Sequence, residues 1–217
     1  YYVNKRNDLI LSKKRNKDYD RNEIINTMNQ YKSFFTFEKY NNIKKVSEKI
    51  TNDKKIVFLV GFPRSGTTLL DTILRTHSKI TVLEEKPYLL EARHEFFSKN
   101  NNNLEALLNI SESEIIQIRN SYFKKFNKEI PNRSNIIIDK LPLSIIEIGF
   151  IKSVFPNSKI ILALRHPCDV VISCYFSFFS INEAMINFLK WKDTIDFYNN
   201  VFTLFEFYEK ELKLDYF

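Results

Sequence analysis

The chain is predicted to be an α/β protein, a P-loop-like parallel sheet flanked by helices, on three observations. A continuous apolar run, KIVFLV at 55–60, is closed by Gly61, as a buried parallel strand would be. The segment GFPRSGTT at 61–68 follows at once and leads into a helical stripe of Leu69, Leu70, Ile73 and Leu74. Downstream, short apolar runs alternate with helical patterns, the order of a doubly wound sheet.

Taken in order, residues 22–50 set Phe34, Phe35, Phe37 and Ile43 in a loose helical pattern and predict one or two helices. Residues 1–54 are therefore expected to be a helical lead-in, and 55–217 the α/β domain. After the first strand and its loop, a helix is expected at 68–75, a second strand at ITVL (80–83) and a pair of helices over 104–126. NIIID at 135–139 predicts a third strand ending at Asp139-Lys140. Ser144 to Val154 is a helical pattern closed by Phe155-Pro156, and KIILALR at 159–165 predicts a fourth strand. Pro167 suits the first turn of a helix expected over Cys168 to Phe179. In such sheets ligands bind at the carboxyl ends of the strands. Gly66, Glu85, Lys140 and Arg165 all follow predicted strands, so one rim collects them. The aromatic tail, with Phe176, Phe178, Phe179, Trp191, Phe197 and Tyr198, has helical spacing and is expected in the core.

Composition narrows the function classes. A chain of 217 residues with 44% hydrophobic content suits one sizeable core. Of its net charge of +7, most comes from residues 1–54, where 13 Lys and Arg face 7 Asp and Glu. Stretches there such as KKRNKDYDRNE mix signs and are asparagine-rich, as a solvated helical face or linker would be, so no nucleic-acid partner is expected. No apolar run approaches the roughly 18 residues of a membrane span, and no secretory leader opens the chain, so no membrane partner is expected either. Cys168 and Cys174, six apart in one predicted helix, suit neither a disulfide framework nor a zinc site. A reducing, cytoplasmic setting follows, with both cysteines as packing residues. The first residue is Tyr1, which is expected of a segment of a longer chain.

The loop carries the chemistry. G-x-x-x-x-G-K-[ST] would be a nucleoside-triphosphate loop, and Gly61, Gly66 and Thr68 fall on its register, but Thr67 stands in place of the lysine. Two of the chain's three glycines lie here, where they let backbone N–H groups turn toward an anion at the positive end of a helix. The missing lysine argues against a magnesium-bound triphosphate and for a phosphorylated ligand with less charge at its reacting end. A nucleotide kinase, with Asp139 as its strand-end acid, and a noncatalytic binding module on a degenerate scaffold are the competing classes.

PRSGTTLL after a strand, and RHPCDVVIS at 165–173, resemble the two nucleotide motifs of the sulfotransferases that use 3′-phosphoadenosine-5′-phosphosulfate (PAPS). THSKITVLEE, the DK-x-P segment in IIIDKLPLS, and FPNSKIILALRHPCDVVISCYF make the likeness closest to tyrosylprotein sulfotransferases and to bacterial sulfotransferases carrying upstream tetratricopeptide repeats. The resemblance covers roughly residues 50–180. It implies the sulfotransferase fold, PAPS as co-substrate without a metal, and a hydroxyl-bearing acceptor such as a protein tyrosine, a glycan or a small molecule. It implies that Pro63, Arg64, Ser65, Gly66, Thr67 and Thr68 hold the 5′-phosphate, with Arg64 also bordering the sulfuryl group. Arg165 and Ser173 would hold the 3′-phosphate. Glu85, the second of the EE pair, would be the general base, and Lys140 would stand by the bridging oxygen. Family members continue beyond the point matching Phe217 through a further strand, so this chain is expected to be truncated at its C-terminus, and a repeat array, if there is one, lies upstream of Tyr1.

Overall fold

The computed structural model describes residues 1–13, 19–50, 55–127 and 136–217. Three helices come first: α1 (Tyr2–Ser12), α2 (Arg21–Phe34) and α3 (Phe37–Ser47). Residues 14–18 of the mixed-charge stretch lie outside the described residues. The sheet follows with β1 (Lys55–Gly61), β2 (Ile80–Glu84), β3 (Ile136–Lys140) and β4 (Lys159–Ala163). Asn135, the expected start of the third strand, is also outside the description. All pairings are parallel, in the order β2-β3-β1-β4. Parallel neighbours need crossovers, and α4 (Thr67–Leu74), α5 (Tyr88–Lys99), α6 (Glu112–Phe126) and α7 (Ile148–Val154) supply them. After β4 come α8 (Pro167–Phe176) and α9 (Trp191–Leu212). The architecture is the expected α/β one, a four-stranded parallel sheet flanked by helices. No helix among the described residues is long and apolar enough to cross a membrane.

The larger core lies on one face of the sheet and takes in α2 and α3, whose Met28, Tyr31, Phe34, Phe35, Tyr40 and Ile43 are buried with Phe58, Ile137 and Ile160. Gly149 shows how closely α2 and α7 meet: a Cβ there would fall 2.5–2.7 Å from the Phe35 ring. On the other face, Leu70 and Leu74 of α4 cover Leu59, Val82, Ile138 and Ala163. The expected four-leucine/isoleucine stripe of α4 is corrected here, because Leu69 and Ile73 are 68% and 57% exposed. They lie about 100° round the helix from Leu70 and Leu74, outside the strip the sheet can cover.

Other expectations also shift. The helix expected from Ser144 to Val154 is broken into a 3₁₀ turn (Pro142–Ile145) and α7, which sets Ser144 to Glu147 as a corner. Of the aromatic tail, Phe197 is buried and Phe179 and Tyr198 are half-buried against the core, Phe179 also lining a cleft, but Phe176, Phe178 and Trp191 are exposed. Cys174 is buried as expected, whereas Cys168, in the first turn of α8, is exposed. Beyond α9 the backbone extends along β4: Leu162 N donates to Phe217 O at 2.9 Å and Phe217 N to Ile160 O at 3.1 Å.

Successive residues of β3 point to opposite faces. Asp139 turns into the larger core, where the Tyr122 hydroxyl of α6 donates to it at 2.7 Å. Burial lifts its carboxyl to about 7, against the opposing pull of the Tyr122 bond. The folded chain therefore keeps this proton up to about pH 7, while the unfolded chain releases it near 4. The folded state binds more protons between those limits, so this group makes stability fall as pH rises through them. Asp139→Asn keeps an acceptor for Tyr122 and removes the titration. Its denaturant midpoint, compared with wild type at pH 5 and 7.5, should show a relative gain of roughly 1–4 kcal/mol at the higher pH; equal pH slopes in the two proteins would refute the assignment.

Candidate functional site

The glycine loop is built by close approach and by backbone conformation. At Gly61 a Cβ would lie 2.7 Å from Ala163 O, so only glycine lets the end of β1 meet β4. Phe62 then anchors the loop in the core against Phe188, Phe197 and Tyr198. The turn closes with Ser65 N donating to Phe62 O at 3.2 Å, and Arg64 and Gly66 take left-handed φ values of 71° and 97°. Gly66 caps α4, whose first-turn amides have no intrahelical acceptor and face outward with the positive end of the helix dipole. Ser65 Oγ is buried and has no hydrogen-bond partner among the described residues. A buried hydroxyl without a partner is costly, and an anion resting on the loop would satisfy it.

A second cluster lies at the ends of β2 and β3. Lys140 is wholly buried, and its ammonium meets Glu85 Oε1 at 2.9 Å, Glu84 Oε1 at 3.4 Å and Asp71 Oδ2 at 3.7 Å. Arg75 completes the cluster, reaching Asp71 Oδ2 at 2.9 Å and Glu84 Oε2 at 3.0 Å, with a further Nε contact to Asp71 Oδ1. Glu84 is therefore held between two cations, while Glu85 leaves the strand. With φ at 50° and its N–H donating to Lys140 O at 2.7 Å, Glu85 turns its side chain to the cleft.

α8 contributes the third part. Ser173 accepts from Arg64 Nε at 3.0 Å, and Cys174 Sγ donates to Pro63 O at 3.3 Å, so α8 braces the loop twice. Burial pushes the Cys174 thiol up to about 12, with Arg64 pulling the other way, and it stays a thiol. Arg165 is exposed and pairs with Asp169 one turn on, at 3.5 Å. The structure thus brings Ser173 to Arg64 and sets Arg165 on Asp169 at the surface.

These parts open on one cleft of about 610 Å³. Pro63, Arg64, Gly66, Thr67, Thr68, Glu85 and Arg165 line one side, with Ser65, Lys140 and Ser173 behind them as supports. The other side is built from α2, α5, the Leu141–Glu147 corner and residues 179–185. At its floor Glu147 accepts from the Tyr31 hydroxyl at 2.9 Å and pairs with Arg93 at 3.5 Å. Burial holds the Glu147 carboxyl above the usual range, against Arg93 and Tyr31. Asp71, Arg75 and Glu147 escaped the sequence reading. The four-residue spacing of Asp71 and Arg75 on a helix was an available signal; nothing local announces Glu147, whose partners are 116 and 54 positions away.

Comparison with known proteins agrees with this construction. A protein of Aquifex aeolicus (strain VF5), described as uncharacterized, is 30% identical over 148 residues, 64% of this chain and 19% of the relative. The chain therefore spans only about a fifth of that relative's length. The profile of the sulfotransferase family matches residues 57–212, from within β1 to the end of α9 and across every part of the cleft's loop side. With the parallel sheet and glycine loop in place, that match shows that the chain belongs to the sulfotransferase family.

Proposed function

We propose that the chain carries the site of a PAPS-dependent sulfotransferase that acts on a hydroxyl acceptor by in-line displacement. The observation that carries the reading is one cleft holding an anion-binding loop without the triphosphate lysine beside a carboxylate backed by a buried ammonium. When bound, PAPS supplies the sulfuryl group and departs as 3′,5′-bisphosphoadenosine. The amides after Gly66, with the hydroxyls of Ser65, Thr67 and Thr68, hold its 5′-phosphate, and Pro63 sets the turn that aims them. Arg64, kept in place by Ser173, borders that phosphate and the charge that spreads over the transferred oxygens. Arg165 exchanges its weak surface pair with Asp169 for forked bonds to the 3′-phosphate, with Ser173 as hydroxyl donor.

Glu85 is the base. Its carboxylate takes the proton of the acceptor hydroxyl, and losing its charge frees the Lys140 ammonium for the oxygen of the departing nucleotide. Glu84 lacks this freedom because Arg75 and Lys140 hold both its oxygens. The kinase alternative loses ground for a structural reason: Asp139, its strand-end acid, is buried on the far face under Tyr122.

Thermal shift tests the nucleotide. 3′,5′-Bisphosphoadenosine without magnesium should raise the Tm; stabilisation only by ATP with magnesium would favour a kinase, and by neither a noncatalytic module. Arg165→Ala should weaken 3′,5′-bisphosphoadenosine by ~2–3 kcal/mol and 5′-AMP much less. Equal losses would place Arg165 in the fold instead.

For the chemistry, transfer from labelled PAPS should be followed in the full-length protein. Glu85→Gln should lower the rate by ~10²–10⁴ at unchanged nucleotide affinity, and Glu84→Gln should do much less. A near wild-type rate in Glu85→Gln would remove it as base, and a larger loss in Glu84→Gln would move the role one residue upstream.

A further inference from the structure

The first helix, α1, lies upstream of residues 57–212, the part matched by the sulfotransferase profile, yet one of its side chains is bonded to the loop side of the cleft. Arg6 sends its guanidinium across to the end of α8, donating to Phe176 O at 2.8 Å, Tyr175 O at 3.0 Å and Ser177 O at 3.3 Å. These carbonyls stand where no intrahelical donor follows, at the negative end of the helix dipole. Asn7, wholly buried, orients the fork by accepting from Arg6 Nε and Nη2 at 3.0 and 2.8 Å. The Tyr175 hydroxyl adds a bond back to Asn4 Oδ1, so the two helices are fastened from both sides.

The last turn of α8 is the one that holds Arg64. Ser173 O accepts from Ser177 N at 3.0 Å and from Ser177 Oγ at 2.6 Å, while Ser173 Oγ accepts from Arg64 Nε at 3.0 Å. Ser173 is thus bonded on one side to a residue that Arg6 grips and on the other to the glycine loop. Helix ends fray, and a frayed turn at 173–177 would let the Ser173 hydroxyl drift. Arg64 is exposed, and its long side chain regains its rotamer freedom when that bond is lost.

We propose that Arg6 is a positioning residue for sulfuryl transfer: by gripping the last carbonyls of α8 it keeps Ser173 in place, and Ser173 keeps Arg64 aimed at the anion on the glycine loop. The helix α1 thereby becomes a part of the site and not only a lead-in to the domain. The proposal rests on the PAPS reading of the same loop, and the test separates the two.

The test uses the full-length protein. Thermal stabilisation of the wild type by 3′,5′-bisphosphoadenosine is recorded first, and nucleotide affinity is then measured by calorimetry in double-mutant cycles. Arg6→Gln removes both the charge and the fork. It should weaken the nucleotide about fivefold beside an intact Arg64, and less than about twofold when Arg64→Ala or Ser173→Ala is already present. A purely structural role for Arg6 would cost the same in all three backgrounds. Ile10→Ala loosens α1 where it packs on Ile186 and Leu189 and leaves the Arg6 bonds alone, so it should lower the Tm with the affinity within about twofold of wild type. Should Arg6→Gln fail to fold, Arg6→Lys, which keeps the charge and gives up the fork, takes its place in the cycles. Equal losses in all backgrounds, no loss beside intact Arg64, or a loss in Ile10→Ala as large as in Arg6→Gln would overturn the positioning role alone. Absence of nucleotide stabilisation in the wild type would overturn the PAPS reading beneath it, and the positioning role with it.

Discussion

The arrangement turns on one buried positive charge. An ammonium removed from water is costly unless close acceptors replace the water, and Lys140 finds three carboxylates, Glu84 on β2, Glu85 in the turn after it and Asp71 on α4. With Arg75 included, two cations meet three carboxylates, so the cluster keeps an excess negative charge, and Glu85 presents it to the cleft. The same contacts join the end of β2, the end of β3 and the helix of the glycine loop, so the Glu85 carboxylate and the glycine loop are positioned together.

Adjacent residues of one strand divide this labour by the pleat. Lys140 faces α4 and the cleft machinery, while Asp139 faces α6 and the deeper core. A further charged cluster, Tyr31, Arg93 and Glu147, fastens α2 and α5 to the corner before α7. The lead-in helices are thus bonded to the floor of the cleft and share the larger core of the sheet.

Much of this was legible because it is local. KIVFLV, its closing glycine and the loop hydroxyls announce a strand, a turn and a helix within 20 positions, and each of the four strands lies within a residue or two of its expected place. What could not be read depends on distant partners. Nothing in the order of the strands says that β3 sits between β2 and β1, and the pairing of Lys140 with Asp71 spans 69 positions. The stripe on α4 looked four residues wide because periodicity shows which side chains are apolar and not how much sheet there is to cover them. Phe179 was assigned to the core by helical spacing; the helix stops at Phe176, and the half-buried ring packs on Phe188 while its other face lines the cleft. The bond between Arg64 and Ser173, 109 positions apart, joins the two motifs in space, and nothing in either motif announces it.

The extended residues beside β4 bear on how this protein behaves at high concentration. A bare strand edge is a template for another molecule, and on the β4 side Tyr216 and Phe217 already occupy it, taking up hydrogen bonds of Ile160 and Leu162. Among the described strands β2 is left as the open edge. It is five residues long, preceded by Lys79 and ended by Glu84, the short and charge-flanked form that discourages ribbon-like self-association. One carboxylate thereby serves two ends: Glu84, which helps hold Lys140, also places a charge at the end of the β2 edge.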